Sequence, residues 1–401
     1  MKILIFNSLY YPNQIGGAEK SVQLLAEGLL QEGHNPIVVC TSNEEKVGHI
    51  NGIKVYYLSP KNLYWLVKNA NKSKIQKMVW HGIDICNPLM LKIINKIIDQ
   101  EKPDIIHTNN LAGLSTAPWI CAKKKKIPVV HTLRDYSLMC PKSTMFKNGV
   151  NCKERCLECK LYSEGKRWLT NSGWIHYLIG NSQFMINHHK ANKFFVNTPG
   201  KRIFNGTVIE NKSNNMNKTL FDRNKIKFLY MGRIEETKGV SLLLDVFSEL
   251  HNAELLLAGK IYDNSISQNI SQGSYPSHIR FLGFTKPEEI LPNIDVLIAP
   301  SLWNEPLPRV ILEAYSYGKP VIGSNRGGIP ECIEDGVTGS IFDPDKKYDL
   351  KNKVESLISN PEKISYMSNN IPRYLEKFDI KISVAQYVET YNFVLENFSN
   401  H

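Results

Sequence analysis

Short runs of aliphatic and β-branched residues alternate with helix-period segments along the whole sequence, and this rhythm restricts the fold more than any other feature. Residues 2–6 lead into a helical pattern at 18–31, after which 36–40, 54–58, 105–107, 128–132 and 177–180 continue the series of apolar runs. Strands that alternate with helices build doubly wound, mainly parallel sheets. The pattern slackens at 197–217, rich in Asn, Lys, Ser and Gly, where a domain linker is expected. A second cycle follows at 227–230, 239–250, 254–258, 279–281, 296–299 and 320–323. A chain of 401 residues suits two such domains. The expected architecture is α/β, with Rossmann-like domains at 1–200 and 205–375 facing each other across a cleft. Segment 376–401 has Val384, Tyr387, Val388, Tyr391, Val394 and Leu395 at helical spacing and is expected to dock back on the first domain. In open α/β sheets the ligand sits at the carboxyl ends of the strands.

Charge separates the two halves. Residues 1–200 hold 26 Lys and Arg against 13 Asp and Glu, while the remainder holds 23 against 25. The excess suggests an anionic partner for the first half, although a solvated lysine-rich surface accounts for it equally well. The run Ile3-Leu4-Ile5-Phe6 is too short for a signal peptide, and no later stretch reaches the roughly 20 apolar residues of a spanning helix. A cytoplasmic protein is expected, soluble or peripheral on the inner face of the membrane.

The residues that carry chemistry are concentrated between 230 and 339. After the run 227–230 comes Met231-Gly232-Arg233-Ile234-Glu235-Glu236-Thr237-Lys238-Gly239, which delivers two cations to the mouth of a helix. A guanidinium that forks across phosphate oxygens, a mobile ammonium and free helix amides together suit a diphosphate. The block from Pro300 to Ala314 places Glu305 in a loop and Glu313 in a helix expected to begin near Pro308. There the amides of Arg309 and Val310 are candidate phosphate donors. Gly327-Gly328 after the next strand permits close backbone approach to a ligand, or a plain turn. Asp343-Pro344-Asp345 reads as turn punctuation rather than a metal site.

In this order, Arg233, Lys238, Glu305-x7-Glu313 and Gly327-Gly328 resemble the family 4 glycosyltransferases, and the resemblance covers nearly the whole chain. It implies the GT-B fold and retaining, metal-independent transfer of a sugar from a nucleotide-diphosphate sugar. Arg233 and Lys238 would hold the donor diphosphate, Glu305 the transferred sugar and Glu313 the ribose. Gly16-Gly17 matches the family's N-terminal glycine loop, which covers the β-phosphate. The sequence departs from the pattern at His131-Thr132-Leu133-Arg134-Asp135, where Arg134 replaces a histidine. His131, Arg134 and Asp135 are therefore candidate contacts to donor or acceptor. The family glycines around the first glutamate are Pro306 and Pro308 here, which leaves the amide of Leu307. The acceptor expected from the family is a glycan or lipid-linked oligosaccharide of the cell envelope. A GT-B partner subunit without catalysis, or another GT-B enzyme such as a nucleotide-sugar epimerase, is the alternative.

Two features lie outside that pattern. Cys140, Cys152, Cys156 and Cys159 offer four thiolates, enough for a closed structural zinc site, though reduced thiols or a redox pair suit the loose spacing too. No nucleic-acid motif accompanies them. Segment 61–80 interleaves Tyr64, Trp65, Leu66, Val67, Met78, Val79 and Trp80 with lysines, the composition of an anionic membrane contact or of a helix whose aromatics enter the core.

Overall fold

The computed structural model describes residues 1–13, 16–65, 72–209 and 225–399. They form two compact units. One comprises Met1–Met145, Cys152–Gly206 and Ile380–His401, and the other Phe146–Asn151 and Thr207–Asp379.

The first unit is built on β1 (Lys2–Phe6), α1 (Gly17–Gln31), β2 (Asn35–Thr41), β3 (Lys46–Ile50), β4 (Ile53–Leu58), α2 (Lys74–Ile85), α3 (Pro88–Glu101), β5 (Ile105–Thr108), α4 (Ala117–Lys125) and β6 (Val129–Leu133). The small strands β7 (Phe146–Lys147) and β8 (Val150–Asn151) belong to the second unit. The first resumes with α5 (Leu157–Thr170), β9 (Tyr177–Gly180), α6 (Gln183–Ala191) and β10 (Gly200–Arg202). Its sheet runs β10-β9-β6-β5-β1-β2-β4-β3, parallel except for the β3–β4 hairpin. The strands β5 and β6 are buried throughout, as expected of parallel strands covered on both faces by helices.

Both edge strands were invisible to the apolar pattern. The β3 sequence KVGHI is half polar because only one of its sides is paired, and GKR in β10 reads as linker. Gly200 is needed there, since any side chain would overlap the carbonyl of Leu178 on β9. The rest of the expected linker, from residue 210, lies outside the described residues.

In the second unit come β11 (Ile226–Met231), α7 (Val240–Ser248), β12 (Ala253–Ala258), α8 (Asn264–Ser271), β13 (Ile279–Gly283), α9 (Pro287–Ile290), β14 (Val296–Ala299) and α10 (Arg309–Ser316). They are followed by β15 (Val321–Ser324), α11 (Ile329–Cys332), β16 (Gly339–Phe342), α12 (Asp349–Ser359) and α13 (Glu362–Leu375). The sheet order is β13-β12-β11-β14-β15-β16, all parallel. The chain winds outward from β11 in one direction, then returns to β14 and winds outward in the other. That reversal leaves a crevice at the carboxyl ends of β11 and β14, the general ligand position of such sheets.

The segment Ile380–Ser399 is a 20-residue helix, α14, and it completes the first unit. Its Val384, Tyr387, Tyr391 and Val394 are buried in one core with Val22, Leu25, Ala26 and Leu29 of α1. Gly28 lets the helices approach, because an added Cβ would stand 2.5 Å from Val384. Beneath α14 the Tyr391 hydroxyl meets His107 Nδ1 at 2.8 Å, and His107 Nε2 meets Thr132 Oγ1 at 2.8 Å. Burial holds His107 well below the usual histidine range, so the ring is neutral and both nitrogens need these partners. Tyr391→Phe strands one of them at almost unchanged shape, and a loss of about 1–3 kcal/mol is expected. A urea-unfolding midpoint identical to that of the parent would show that the bond contributes nothing.

Candidate active site

The loops that leave β11 and β14 are laced together. Thr237 O accepts the amides of Leu302 at 2.9 Å and Trp303 at 3.2 Å. Gly239, with φ 71°, caps α7 so close to Pro300 that a side chain would overlap its carbonyl. This fastening brings Lys238, in the 3-10 turn Glu236–Lys238, into an ion pair with Glu305. Glu305 is 6% exposed, and its Oε1 also accepts from Ser301 Oγ at 2.8 Å and Trp303 Nε1 at 3.0 Å. Three donors, Lys238, Ser301 and Trp303, converge on one carboxylate oxygen and fix it in place. The Lys238 ammonium also lies 5.1 Å from the centre of the Trp303 indole.

Arg233 is half exposed, with its guanidinium 3.2 Å from Glu235 and its carbonyl bound by the Tyr230 hydroxyl at 2.5 Å. Its backbone is anchored while its head reaches solvent. Helix α10 starts one residue later than the sequence suggested, because Pro308 has ψ 119° and is the cap rather than the first helical residue. Arg309 and Val310 open the helix, where amides have no acceptor four residues back. Leu307 is buried just before the cap. Glu313 lies one turn into α10, partly exposed and 3.9 Å from Arg309 Nε.

Gly327 and Gly328 pack against the protein's own chain. Gly327, with φ 60°, lies flat against the Glu305 backbone where any Cβ would overlap it, and Gly328 N donates to Glu305 O at 2.7 Å. The pair braces the Glu305 loop. Asp343 and Asp345 are held by Arg326, which stands next to Gly327. Sequence reasoning missed a further brace in the β7–β8 hairpin. Asn151 Nδ2 donates to Leu302 O at 2.7 Å, and its Oδ1 accepts from Asn304 N at 2.7 Å. No periodicity marks such a residue, since its role comes from a contact 151 residues away.

In the first unit, His131 and Arg134 both lie in the interior. His131 is 2% exposed, stacked on Phe195 and bonded through Nδ1 to Thr108 Oγ1 at 2.8 Å. Burial pushes its pKa down to about 3, so it is a neutral core residue and not a ligand contact. Arg134 is buried as a strut, with Nε on Asn109 Oδ1 at 2.8 Å, Nη1 on Asn205 Oδ1 at 2.5 Å and Nη2 on Tyr387 at 3.4 Å. Three of its five N–H donors are thus spent on interior partners. Asp135 does sit at the strand ends, joined to Asn110 and accepting Ser137 N at 2.8 Å. Asn110 in turn meets Ser8 at 3.1 Å and Asn7 at 3.2 Å, which makes a polar cluster at the carboxyl ends of β1, β5 and β6. Burial raises the pKa of Asp135, opposed by its bonds to Ser137. Gly17 opens α1, and the Gly16 amide is taken by Glu19 Oε2 at 3.0 Å as a capping interaction.

Cys140 and Cys159 are buried and joined by a sulfur hydrogen bond, and Cys159 also meets Cys156. The amides of Lys142, Thr144 and Met145 point at the Cys140 sulfur, a turn made possible by left-handed Ser143 and Met145. The Cys159 thiol, more than these amides, draws the Cys140 pKa down to about 6, while burial opposes it. Among the described residues, no group of three or more His, Cys, Asp or Glu is arranged to hold a metal ion. Of the aromatic–basic segment, Trp80 is fully buried against Tyr64 and donates to its carbonyl at 2.8 Å, so it is no membrane anchor. Residues 66–71, including Leu66 and Val67, lie outside the described residues.

Comparison with known proteins shows the family and the fold. Residues 15–207 match the model of Glycosyltransferase Family 4, and residues 211–374 that of Glycosyl transferases group 1. The "Uncharacterized 42.6 kDa protein in cps region" of Klebsiella pneumoniae is 34% identical over 333 residues, covering 82% of this chain and 87% of that protein. The D-inositol 3-phosphate glycosyltransferase of Rhodococcus jostii is 22% identical over 70% of this chain and 64% of its own length. Sucrose-phosphate synthase from Thermosynechococcus elongatus superposes with TM-score 0.78 at 16% identity, over 99% of both chains. Anabaena HepE, solved in complex with UDP, superposes with TM-score 0.72 at 21% identity, over 98% of this chain and 100% of that one. The chain belongs to the family 4 glycosyltransferases and has the GT-B fold, each of its two units being a Rossmann-like domain.

Proposed function

We propose that this glycosyltransferase transfers a sugar with retention of configuration from a nucleotide-diphosphate sugar held at the β11–β14 crevice, without a catalytic metal. The observation that carries the reading is the Lys238–Glu305 pair, braced by Ser301, Trp303 and Gly328. As the bond from the anomeric carbon to phosphate breaks, negative charge grows on the departing diphosphate and positive charge on the sugar. Lys238, Arg233 and the entrance of α10 act on the first, and Glu305 on the second. Fixed charges aimed at the developing ones lower the barrier without reorganising. Glu313 is assigned to the ribose, and the Asp135 cluster of the first unit to the acceptor. HepE was solved with UDP and with UDP-glucose, which makes UDP-sugars the first donors to test. The Klebsiella relative lies in a cps region, in keeping with an envelope glycan or lipid-linked acceptor.

Arg233→Ala is the cleaner probe of the diphosphate, because Arg233 is exposed whereas removing Lys238 also leaves Glu305 unpaired. A loss of about 1.5–3 kcal/mol in affinity for the free nucleoside diphosphate is expected by calorimetry. Parental affinity would place the diphosphate elsewhere.

Glu305→Gln keeps the shape but removes the charge that steadies the sugar cation. Single-turnover rate should fall at least ~100-fold, about 2.7 kcal/mol of barrier, with diphosphate affinity little changed. Glu313→Gln should weaken nucleotide binding more than it slows chemistry, since a ribose contact exists in ground and transition states alike. Equal losses of rate and affinity in both variants would refute this division of roles.

Turnover should also survive EDTA, because Lys238 and Arg233 supply the positive charge and Arg326 already holds Asp343 and Asp345. Activity that stops on chelation and returns with Mg²⁺ or Mn²⁺ would contradict the metal-free reading.

A further inference from the structure

Helices α2 and α5 lie side by side in the first unit. The ring of His81 meets that of Tyr162 edge-on at 4.9 Å, and Gly165 lets Ile85 approach, an added Cβ there standing 3.0 Å from its Cγ2. Each helix buries one face. Trp80 and Asp84 turn inward on α2, and Cys159, Ser163, Lys166 and Thr170 on α5. Opposite those faces each helix carries large apolar residues in the open. Ile75 and Met78 are each 69% exposed, Leu157 and Leu161 each 75%, and Trp168 63%. Positions 157, 161 and 168 fall on one stripe at 100° per residue, and 75, 78 and 79 on another. Both stripes lie roughly opposite the buried faces of their helices, so the two paired helices present a common apolar ridge.

A soluble surface does not ordinarily gather its largest apolar side chains in this way. What flanks the ridge identifies its partner. Lys74 on α2 and Lys160 on α5 are exposed beside the stripes, with Glu158 on the other flank of α5, and among the described residues neither lysine has a carboxylate partner. Glu164, the acid within the α5 stripe, is neutralised by Arg155 and Arg167. Trp168, packed edge-on against Trp174 at 6.0 Å, puts an indole at the margin, where amphipathic rings favour the headgroup level. Apolar side chains at the crest with lysines at the sides suit an anionic bilayer, into which the crest inserts while ammonium groups meet phosphates.

We propose that the exposed ridge of α2 and α5 docks the first unit onto an anionic phospholipid surface. This differs from the sequence expectation for 61–80, because Trp80 is buried and half of the ridge comes from α5, which no sequence pattern marked. The buried Cys159 and the capping Cys156 fix the start of α5, which gives the cysteine cluster a role in holding the ridge. The inference is independent of the donor-site reading.

The test is sedimentation of the full chain with vesicles of phosphatidylcholine alone or with added phosphatidylglycerol, at low and high salt. Binding should require the anionic lipid and fall with salt. The variant Met78→Glu with Leu161→Glu should bind at least ~10-fold more weakly, since both positions are exposed and each exchange places a charge at the crest. Its melting temperature and UDP affinity should match the parent, which shows that fold and donor site are intact. Equal binding to neutral vesicles, no binding by the parent, or parental binding by the variant each overturns the proposal. So does a dimer in sedimentation velocity that the same two exchanges dissociate, since the ridge would then cover a second copy.

Discussion

The carboxylate of Glu305 and the ammonium of Lys238 meet where the second sheet reverses its winding, and much of the second unit serves to keep them there. An ion pair of low exposure gains little from Coulomb attraction alone, because both partners give up water. It persists when further donors satisfy the carboxylate, as the Ser301 hydroxyl and Trp303 indole do. The loops must also be unable to drift apart. Two amides bonded to Thr237 O, Gly239 against Pro300, and Gly327-Gly328 against the Glu305 backbone supply that constraint. Gly239 and Gly327 thus act as contact surfaces between backbones, at points where a single Cβ would separate them.

The α/β rhythm and the two-domain division were legible because buried parallel strands are apolar on both faces and leave dense runs in the sequence. Edge strands β3 and β10 were not, because half of their surroundings is water and their composition is that of a loop. The order Arg233, Lys238, Glu305, Glu313 was legible as chemistry, and the structure brings Lys238 and Glu305 into contact. The contact that Gly327-Gly328 makes with the Glu305 backbone was not legible. Paired glycines report only that something comes close, and here the neighbour is the protein's own chain.

His131 and Arg134 show the converse limit. Both are polar residues in or just after a strand that points toward a ligand position, the pattern that suggests function. Yet His131 is stacked in the core and Arg134 reaches inward to Asn109, Asn205 and Tyr387. The direction of a side chain at a strand end depends on what fills the space beneath it. Beneath His131 it is filled by Phe195, and beneath Arg134 partly from α14, some 250 residues away in sequence. Asn151 was missed for the same reason.

The place of α14 in the chain has a consequence for biogenesis. The first unit's core lacks Tyr387, Tyr391 and Val394 until residues 380–399 have left the ribosome, long after residue 206 has emerged. At synthesis rates of about 5–20 residues per second, that interval is on the order of ten to forty seconds. Throughout it the seat of α14 is open to solvent, with His107 and Thr132 beneath it unpaired by tyrosine. The second unit, by contrast, has all its strands in hand by residue 342 and can close first. Assembly then runs against the order of translation, and the nascent first unit presents an uncovered apolar seat to chaperones for as long as its neighbour is being made.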